Sequence, residues 1–170
     1  MPKPIYIICS ETGSEDKDTG LLSLFNLIDT LQITKAAKGM PLRAASPITQ
    51  LRITACWLQE SGDEDKEFEI EVAVISPVGE ETILGRAALV FATKFCRISA
   101  RVIGLFPIKG EGMFWIEARI RKTDSNAWQV NKTPLFVEQL PSSTAEVPAS
   151  PELVTSVELE AKEHQPPSTK

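Results

Sequence analysis

Residues 21–33 read LLSLFNLIDTLQI, and whether this stretch forms a helix or a strand decides the fold class of the chain. Leu24, Ile28 and Leu31 lie on an apolar stripe with helical spacing. However, the stretch contains no Ala, Glu, Lys or Arg, so it lacks most of the residues that favour helices. Asn26 interrupts a strict two-residue alternation, as a β-bulge does. The pattern favours a strand and leaves a helix as the alternative.

The middle of the chain alternates between apolar and polar residues with a period of two. In FEIEVAVI (68–75) and FWIEARIR (114–121), apolar residues share one face and charged residues share the other. LRITACWL (51–58) places Leu51 and Trp57 on a common face in the same way. Turn-forming segments such as SGDEDK and KTDSN separate these runs. Short alternating runs with frequent turns are typical of half-buried antiparallel strands.

The predicted fold is therefore all-β: a single antiparallel β-sandwich of about eight strands in residues 1–140, followed by a disordered C-terminal tail in residues 141–170. The predicted strands cover residues 4–10, 20–33, 48–59, 67–75, 82–92, 95–106, 112–122 and 127–137.

The composition changes after Leu140. Residues 141–170 contain five prolines, many Ser, Thr and Glu residues, and no aromatic residue. Such a segment buries too little apolar surface to offset the entropy that ordering costs, which predicts disorder. Within it, PELVTSVELEAKE (151–163) is the piece that we expect to form at most a transient helix, on a partner for instance.

Charge and composition limit the function classes. The chain of 170 residues has a net charge of −5 and no basic run, so nucleic acid is not an expected partner. It has no apolar run long enough to span a membrane, and its first residues do not resemble a signal peptide. Cys9, Cys56 and Cys96 lie in apolar segments without a CxxC pair, which predicts reduced, buried thiols. We expect a cytoplasmic protein.

Several apolar and turn motifs resemble a known family. LSLFNLIDTL, VISPVGEE, and GMFWIEARI followed by TPLFVEQL resemble a domain-of-unknown-function family of small uncharacterised bacterial proteins. The resemblance covers residues 4–138. It implies an antiparallel β-sandwich similar to C2 or immunoglobulin-like folds, with a strand where LLSLFNLIDTLQI lies. It carries no activity, cofactor or catalytic residue.

The chain has one histidine, His164, and it lies in the predicted tail. The predicted domain therefore has no histidine for nucleophile pairs, metal ligation or general-base catalysis. The sequence also has no GxSxG, GxGxxG or GxxxxGK[ST] motif. These observations predict that the protein is not an enzyme and needs no cofactor.

Acidic residues concentrate in predicted loops. If successive strands alternate in direction, loops 11–19, 60–66, 93–94 and 123–126 cluster at one end of the sandwich. Clustered carboxylates on such loops suit Ca²⁺, which takes six to eight oxygen ligands. The candidate ligands are Asp16, Asp18, Asp63 and Asp65. Neither SEDKD nor GDEDK has the ligand register of an EF-hand, so a solvated acidic surface is the alternative.

A second candidate surface follows from a predicted hairpin. A tight turn near Lys109 would join 95–106 to 112–122 and, by parity, pair Arg101 with Glu117 on the outer face. That face presents an apolar spot beside arginines, a combination common at protein interfaces. The predicted partner-binding residues are Ile103, Trp115, Arg97 and Arg119. The alternative is that Trp115 is covered by a loop or the tail, or is a lone exposed aromatic residue.

The sequence thus predicts a non-enzymatic binding or structural module that docks a protein partner, or a second copy of itself, through a sheet face. The alternative is a calcium- or ligand-binding sandwich that acts through its acidic loops. A third hypothesis is an enzyme that uses carboxylates alone, as glycosidases do, although spacing selects no pair of acidic residues for that role.

Overall fold

A computed structural model describes residues 1–16, 18–19, 21–34, 43–44, 50–103, 110–140 and 156–163, and all structural statements refer to these ranges. Within them the chain forms strands and turns and no helix, which confirms the predicted all-β class. None of these residues therefore forms a helix that could cross a membrane. The strands are β1 (Lys3–Glu15), β2 (Leu22–Leu27), β3 (Thr30–Thr34), β4 (Arg43–Ala44), β5 (Gln50–Leu58), β6 (Glu67–Ile75), β7 (Glu81–Val90), β8 (Phe95–Ile103), β9 (Gly112–Lys122), β10 (Gln129–Leu140) and β11 (Ser156–Glu163).

The strands form two sheets. Sheet A has the order β11-β8-β5-β1-β2, and sheet B has the order β4-β3-β10-β9-β6-β7. Neighbouring strands are antiparallel in both sheets, except that β3 runs parallel to β10. The prediction of a wholly antiparallel arrangement is therefore wrong at this pair. Strands that are joined by a tight hairpin must be antiparallel. β3 and β10 are not joined in this way, because β3 enters sheet B directly from sheet A, so they can run parallel.

The stretch that decided the fold class is a strand that changes sheets. Its first half, β2, pairs with β1 in sheet A, and its second half, β3, pairs with β10 in sheet B. The change takes place between Ile28, whose N still donates to Cys9 O on β1, and Asp29, whose O accepts from Phe136 N on β10. Just before it, Asn26 has a φ of 53°, in the left-handed region that Asn tolerates better than most residues. Strand structure is confirmed here, but the single strand predicted over 20–33 is divided in two.

Most of the other strands follow the prediction closely, but β1 continues to Glu15, through residues predicted to be a loop. The bounds of β6 and β9 coincide with the predicted 67–75 and 112–122. Both strands contain a stretch in which apolar and charged residues alternate, FEIE in β6 and IEARIR in β9. The structure has more strands than the predicted eight or so. Residues 20–33 form two strands, β4 is a short strand in a predicted loop, and β11 is a strand in the predicted tail.

One hydrophobic core draws its residues from both sheets. Trp57 and Ile98 come from sheet A, whereas Phe68, Ile116 and Leu135 come from sheet B. Trp57 is fully buried, as its predicted position in the core requires. Burial of these apolar side chains is the main favourable contribution to folding.

The predicted tail is partly structured. Ser156–Glu163 forms β11, which pairs antiparallel with β8 and places Val157, Leu159 and Ala161 opposite Val102, Ala100 and Ile98. Disorder, or at most a transient helix, was predicted for these residues, but their two-residue alternation matches the edge of sheet A. The rest of the predicted tail, including His164, lies outside the described residues.

Candidate interaction surface

The predicted hairpin between 95–106 and 112–122 is wrong. β8 lies in sheet A between β5 and β11, and β9 lies in sheet B between β10 and β6. Arg101 is opposite Arg52 and Glu158, and Glu117 is opposite Ala73 and Lys132. Parity assigned the inner and outer faces correctly, but it does not distinguish a hairpin from two strands that lie in different sheets.

The four predicted partner-binding residues therefore do not form one surface. Trp115 and Arg119 lie on the outward face of β9 in sheet B. Arg97 lies on β8 in sheet A, where its Nη1 is 3.1 Å from Glu15 Oε1. Ile103 is the last residue of β8, and its side chain lies outside the described part of the structure.

Trp115 has apolar neighbours that were not predicted from the sequence. Its register neighbours are Ile75 on β6 and Pro134 on β10, and the adjacent pair in the ladder is Met113 with Phe136. Met113 is 47% exposed and Phe136 is 41% exposed. We call the outward side of the four neighbouring strands β7, β6, β9 and β10 the Trp115 face. Its residues are Glu69, Glu71, Ala73 and Ile75 (β6), Glu81, Ile83 and Arg86 (β7), Met113, Trp115, Glu117, Arg119 and Arg121 (β9), and Val130, Lys132, Pro134 and Phe136 (β10).

Arg119 is the centre of an ion-pair network on the Trp115 face. Its Nη2 lies 2.6 Å from Glu81 Oε2 and 2.8 Å from Glu117 Oε2, and its Nη1 lies 3.0 Å from Glu71 Oε1. The hydrogen bond to Glu81 is the main cause that raises the pKa of Arg119, while partial desolvation opposes the rise and Glu117 adds to it. The same hydrogen bond lowers the pKa of Glu81. The network holds Arg119 in place with its charge compensated.

Glu71 is the buried member of this network. It is 3% exposed, yet its Oε2 accepts a 2.6 Å hydrogen bond from Arg86 Nε on β7. A buried carboxylate is tolerated only when it is paired and hydrogen-bonded, and the two guanidinium groups of Arg86 and Arg119 supply both. Glu71 therefore ties β7 to β9 across β6.

Two cations on this face stack on tryptophan rings. The guanidinium carbon of Arg121 lies 4.4 Å from the centroid of Trp128, and Arg121 Nε donates a 2.8 Å hydrogen bond to Glu69. Lys132 Nζ lies 4.7 Å from the centroid of Trp115. Trp128 is half-buried and lies just before the start of β10. Both ring faces are thus oriented by attraction to a cation.

A buried polar cluster in sheet A was not expected from the sequence. Arg52 and Thr54 lie on the face of β5 opposite the core, but they are only 8% and 1% exposed. Arg52 donates hydrogen bonds from Nε and Nη2 to Ser99 Oγ, at 3.2 and 3.0 Å, and from Nη1 to the backbone oxygen of Gly13 at 2.9 Å. Alternation in LRITACWL predicted a polar outer face but could not show that the far half of β1 lies over it.

Gly13 allows this close approach. A Cβ at this position would lie 2.9 Å from Leu24 Cδ2 and 3.3 Å from Arg52 Nη1. The absence of a side chain thus brings the β1 backbone within hydrogen-bonding distance of Arg52.

The four calcium candidates occupy two separated turns. Lys3 at the start of β1 is opposite Leu58, which precedes the turn that holds Asp63 and Asp65, while Asp16 and Asp18 follow the far end of β1. Loop 11–19 therefore lies at the opposite end of β1 from loop 60–66, and the expectation that all four loops cluster at one end is wrong for it. The other three loops do lie close together, since Gln59 N donates to Lys94 O at 2.8 Å and Thr123 N donates to Glu67 O at 3.1 Å. The prediction assumed a single strand between β1 and β5, whereas the chain forms three there, β2, β3 and β4. The predicted alternation of strand directions is therefore wrong from this point on.

Two of the four carboxylates, those of Asp16 and Asp63, are also engaged locally. Asp16 Oδ1 accepts hydrogen bonds from Thr19 N at 2.8 Å and from Thr19 Oγ1 at 2.9 Å, and the backbone bond from Thr19 is the main cause that lowers the Asp16 pKa. Asp63 is buried and lies 3.1 Å from Lys122 Nζ. Among the described residues, no three His, Cys, Asp or Glu side chains are arranged to hold a metal ion. The geometry therefore does not favour the calcium hypothesis.

Comparison with models of known protein families found no match, and no curated protein matches the chain. The resemblance to a bacterial family of unknown function therefore stays a prediction.

Proposed function

We propose that the chain is a non-enzymatic binding module, built as a β-sandwich, that docks a protein partner through the Trp115 face, and that a second copy of the chain is the partner that this face fits best. The observation that carries the proposal is the apolar group on the face: half-buried Trp115 beside Met113 and Phe136, which are 47% and 41% exposed. Ile83, 42% exposed, and Val130, 43% exposed, extend it. Aromatic residues and Met are enriched at the centres of protein interfaces.

The charges of the face support a second copy as the partner. Four cations, Arg86, Arg119, Arg121 and Lys132, accompany four anions, Glu69, Glu71, Glu81 and Glu117, and most of them are paired within the face. The chain as a whole carries a charge of −5, which opposes association of two copies. A balanced face is where that repulsion is smallest, and its paired charges need no charged partner.

The size of the face sets the expected strength. Four strands spaced about 4.8 Å apart and about 30 Å long give roughly 1,100 Å² when two faces are covered. That area is near the lower limit for specific interfaces, so we expect a weak, reversible dimer.

The non-enzymatic part of the proposal rests on side-chain chemistry. The one histidine of the sequence lies outside residues 1–140, and Cys9, Cys56 and Cys96 are all buried. A groove of about 340 Å³ beside the Trp115 face is lined by Glu67, Glu69, Arg86 and Thr123, together with Phe68, Ala87 and Ala88. Two of its charged groups are engaged in ion pairs, Glu69 with Arg121 and Arg86 with Glu71. Three thiols that form no disulfide also support a reducing, cytoplasmic environment.

Sedimentation equilibrium over a concentration series tests the proposal. Trp115→Glu and, separately, Met113→Glu should weaken the dimer by at least about tenfold, because each places an unpaired charge in the apolar centre. Met113 is exposed and makes little packing in the monomer, so its variant should fold even if Trp115→Glu is destabilised. Val78→Glu, at an 81% exposed turn residue outside the face, is the matched control and should leave the dimer unchanged. A chain that stays monomeric throughout, or a dimer that both test variants leave intact, overturns the proposal.

A further inference from the structure

The free side of β2 is an unusually unprotected sheet edge. β2 ends sheet A and pairs only with β1 among the described strands, so its other side presents backbone N–H and C=O groups. The other edge strands are less open to pairing. β4 has two residues, β7 carries Glu81 and Arg86, and the sequence of β11, SVELEAKE, contains four charged residues.

The side chains of this edge are apolar and exposed. The segment LLSLFNL (21–27) contains no charged residue and no proline, the two devices by which edge strands usually avoid pairing. Leu21 is 69% exposed, Phe25 is 50% exposed and Leu27 is 67% exposed. These three residues alternate along the strand and so lie on one face, where an added strand would cover them.

Acidic residues lie at both ends of this edge. Asp16 and Asp18 lie in the turn before it, Asp29 follows it, and Glu11 accepts a 2.6 Å hydrogen bond from Asn26 within it. An Asp carboxylate is charged at neutral pH, and the hydrogen bonds from Thr19 lower the pKa of Asp16 further. In the sequence, Lys17 is the one basic residue between positions 4 and 34.

This charge distribution decides between two occupants. If two copies paired antiparallel through β2, the acidic turn of each would lie next to Asp29 of the other, and like charges would repel. A strand with basic residues at both ends would instead gain attraction at each end. The acidic ends thus favour a different chain over a second copy.

We propose that the free edge of β2 binds an extended segment of a partner protein as an added strand, and that this segment has alternating apolar residues flanked by Lys or Arg. Backbone hydrogen bonds along β2 supply the affinity, and Leu21, Phe25 and Leu27 contact the apolar residues of the segment. The flanking bases select the register and the partner. This site lies on sheet A and is independent of the Trp115 face.

Synthetic peptides test the inference directly. The probes are Lys-Lys-Val-Thr-Val-Thr-Val-Lys-Lys, the same core flanked by Glu, and the Lys-flanked peptide with its central Val replaced by Pro. We expect the Lys-flanked peptide to bind at least about tenfold tighter than the other two. The advantage over the Glu-flanked peptide should shrink at about 0.5 M NaCl, where the screening length is below about 5 Å. Hydrogen exchange should slow at the amides of residues 22–27.

Variants locate the binding site. Phe25→Lys combined with Leu27→Lys should reduce Lys-peptide binding by at least about tenfold, because it removes apolar contacts and adds like charge. Val78→Lys adds one exposed cation outside this edge and should leave binding of the Lys-flanked peptide unchanged. Trp115→Glu should leave peptide binding unchanged, which separates this inference from the proposed dimer face. The inference is overturned if all three peptides bind equally, if none binds, or if the Lys-flanked peptide binds the β2 double variant as tightly as it binds the wild type. Dimers that the β2 variant dissociates and Trp115→Glu does not would show that the edge pairs with a second copy instead.

Discussion

Asn26 Nδ2 donates a 2.6 Å hydrogen bond to Glu11 Oε2 on the neighbouring strand, while the backbone of Asn26 has a φ of 53°. The side chain thus anchors β2 to β1 at the residue where the backbone leaves the extended conformation. Two residues later, Ile28 N still donates to Cys9 O at 2.9 Å, and Asp29 O then accepts from Phe136 N on β10 at 2.7 Å. The chain therefore crosses between the sheets at Ile28 and Asp29, directly after the change of backbone conformation at Asn26.

Replacing Asn26 should show the cost of the left-handed conformation. Asn26→Gly loses the hydrogen bond to half-buried Glu11 but adopts a positive φ without strain. Asn26→Val loses the same bond and adds about 1–2 kcal/mol of backbone strain. Urea denaturation should therefore rank the Gly variant above the Val variant by roughly that amount. Glu11→Gln, which keeps an acceptor, controls for the side-chain bond. Equal stability of the two Asn26 variants would contradict the role of its backbone conformation.

The Arg119–Glu71 ion pair should be costly to break from one side. Arg119→Met leaves the buried Glu71 carboxylate with Arg86 alone, and Arg86 is itself largely exposed. We expect the free energy of unfolding to fall by about 3 kcal/mol.

The matched variant is the double replacement Glu71→Met with Arg119→Met. Removing both charges removes the unpaired buried carboxylate, so most of the lost stability should return, as measured by chemical denaturation. A double variant no more stable than Arg119→Met would show that Glu71 is not the group left unsatisfied.

The cysteines should react only when the chain unfolds. Cys9 is 4% exposed, and burial raises its pKa to about 12, so almost no thiolate is present at neutral pH. Burial also raises the pKa of Cys56, although Arg97 partly opposes the rise. A chromogenic disulfide reagent should therefore detect almost no thiol in the native protein and all three in urea. Rapid native labelling of Cys9 would contradict its burial.

Secondary structure was readable from the sequence because two-residue alternation is a local signal. The bounds of β6 and β9 coincide with the prediction, since each has one buried apolar face and charged residues on the other. The same alternation is compatible with either sheet, so it did not reveal that β8 and β9 lie in different sheets. Pairing depends on contacts between distant segments, and the predicted neighbours of Ile103 and Arg97 were wrong for that reason.

The candidate surface was predictable in part. Trp115 and Arg119 were identified from the polar side of FWIEARIR, which is the outward face of β9. Met113 and Phe136 were missed as members because their proximity arises from the β9–β10 register, which the sequence did not specify. The buried polar cluster around Arg52 was missed because alternating polar residues predict a solvent-exposed face. The sequence pattern does not reveal that another part of the chain covers that face.

Asp63 should make stability depend on acid pH. Burial by itself would raise its pKa, but hydrogen bonds and charge from Lys122 and the N-terminal ammonium, both 3.1 Å away, outweigh burial and lower the pKa below its ordinary value of 3.8. A carboxyl group whose pKa is lower in the folded state stabilises the fold above its unfolded pKa. That contribution is lost as the pH falls through the lower folded pKa.

Asp63→Asn should therefore reduce stability at neutral pH and flatten the fall in stability below about pH 4. The difference between wild type and variant should be largest near neutral pH and should narrow as Asp63 of the wild type becomes protonated. Asp65→Asn, at an exposed residue of the same turn, is the control and should run parallel to wild type. Urea midpoints measured between about pH 2 and pH 7 provide the comparison. A constant gap between the Asp63 variant and wild type across this range would show that Asp63 acts through packing and not through its charge.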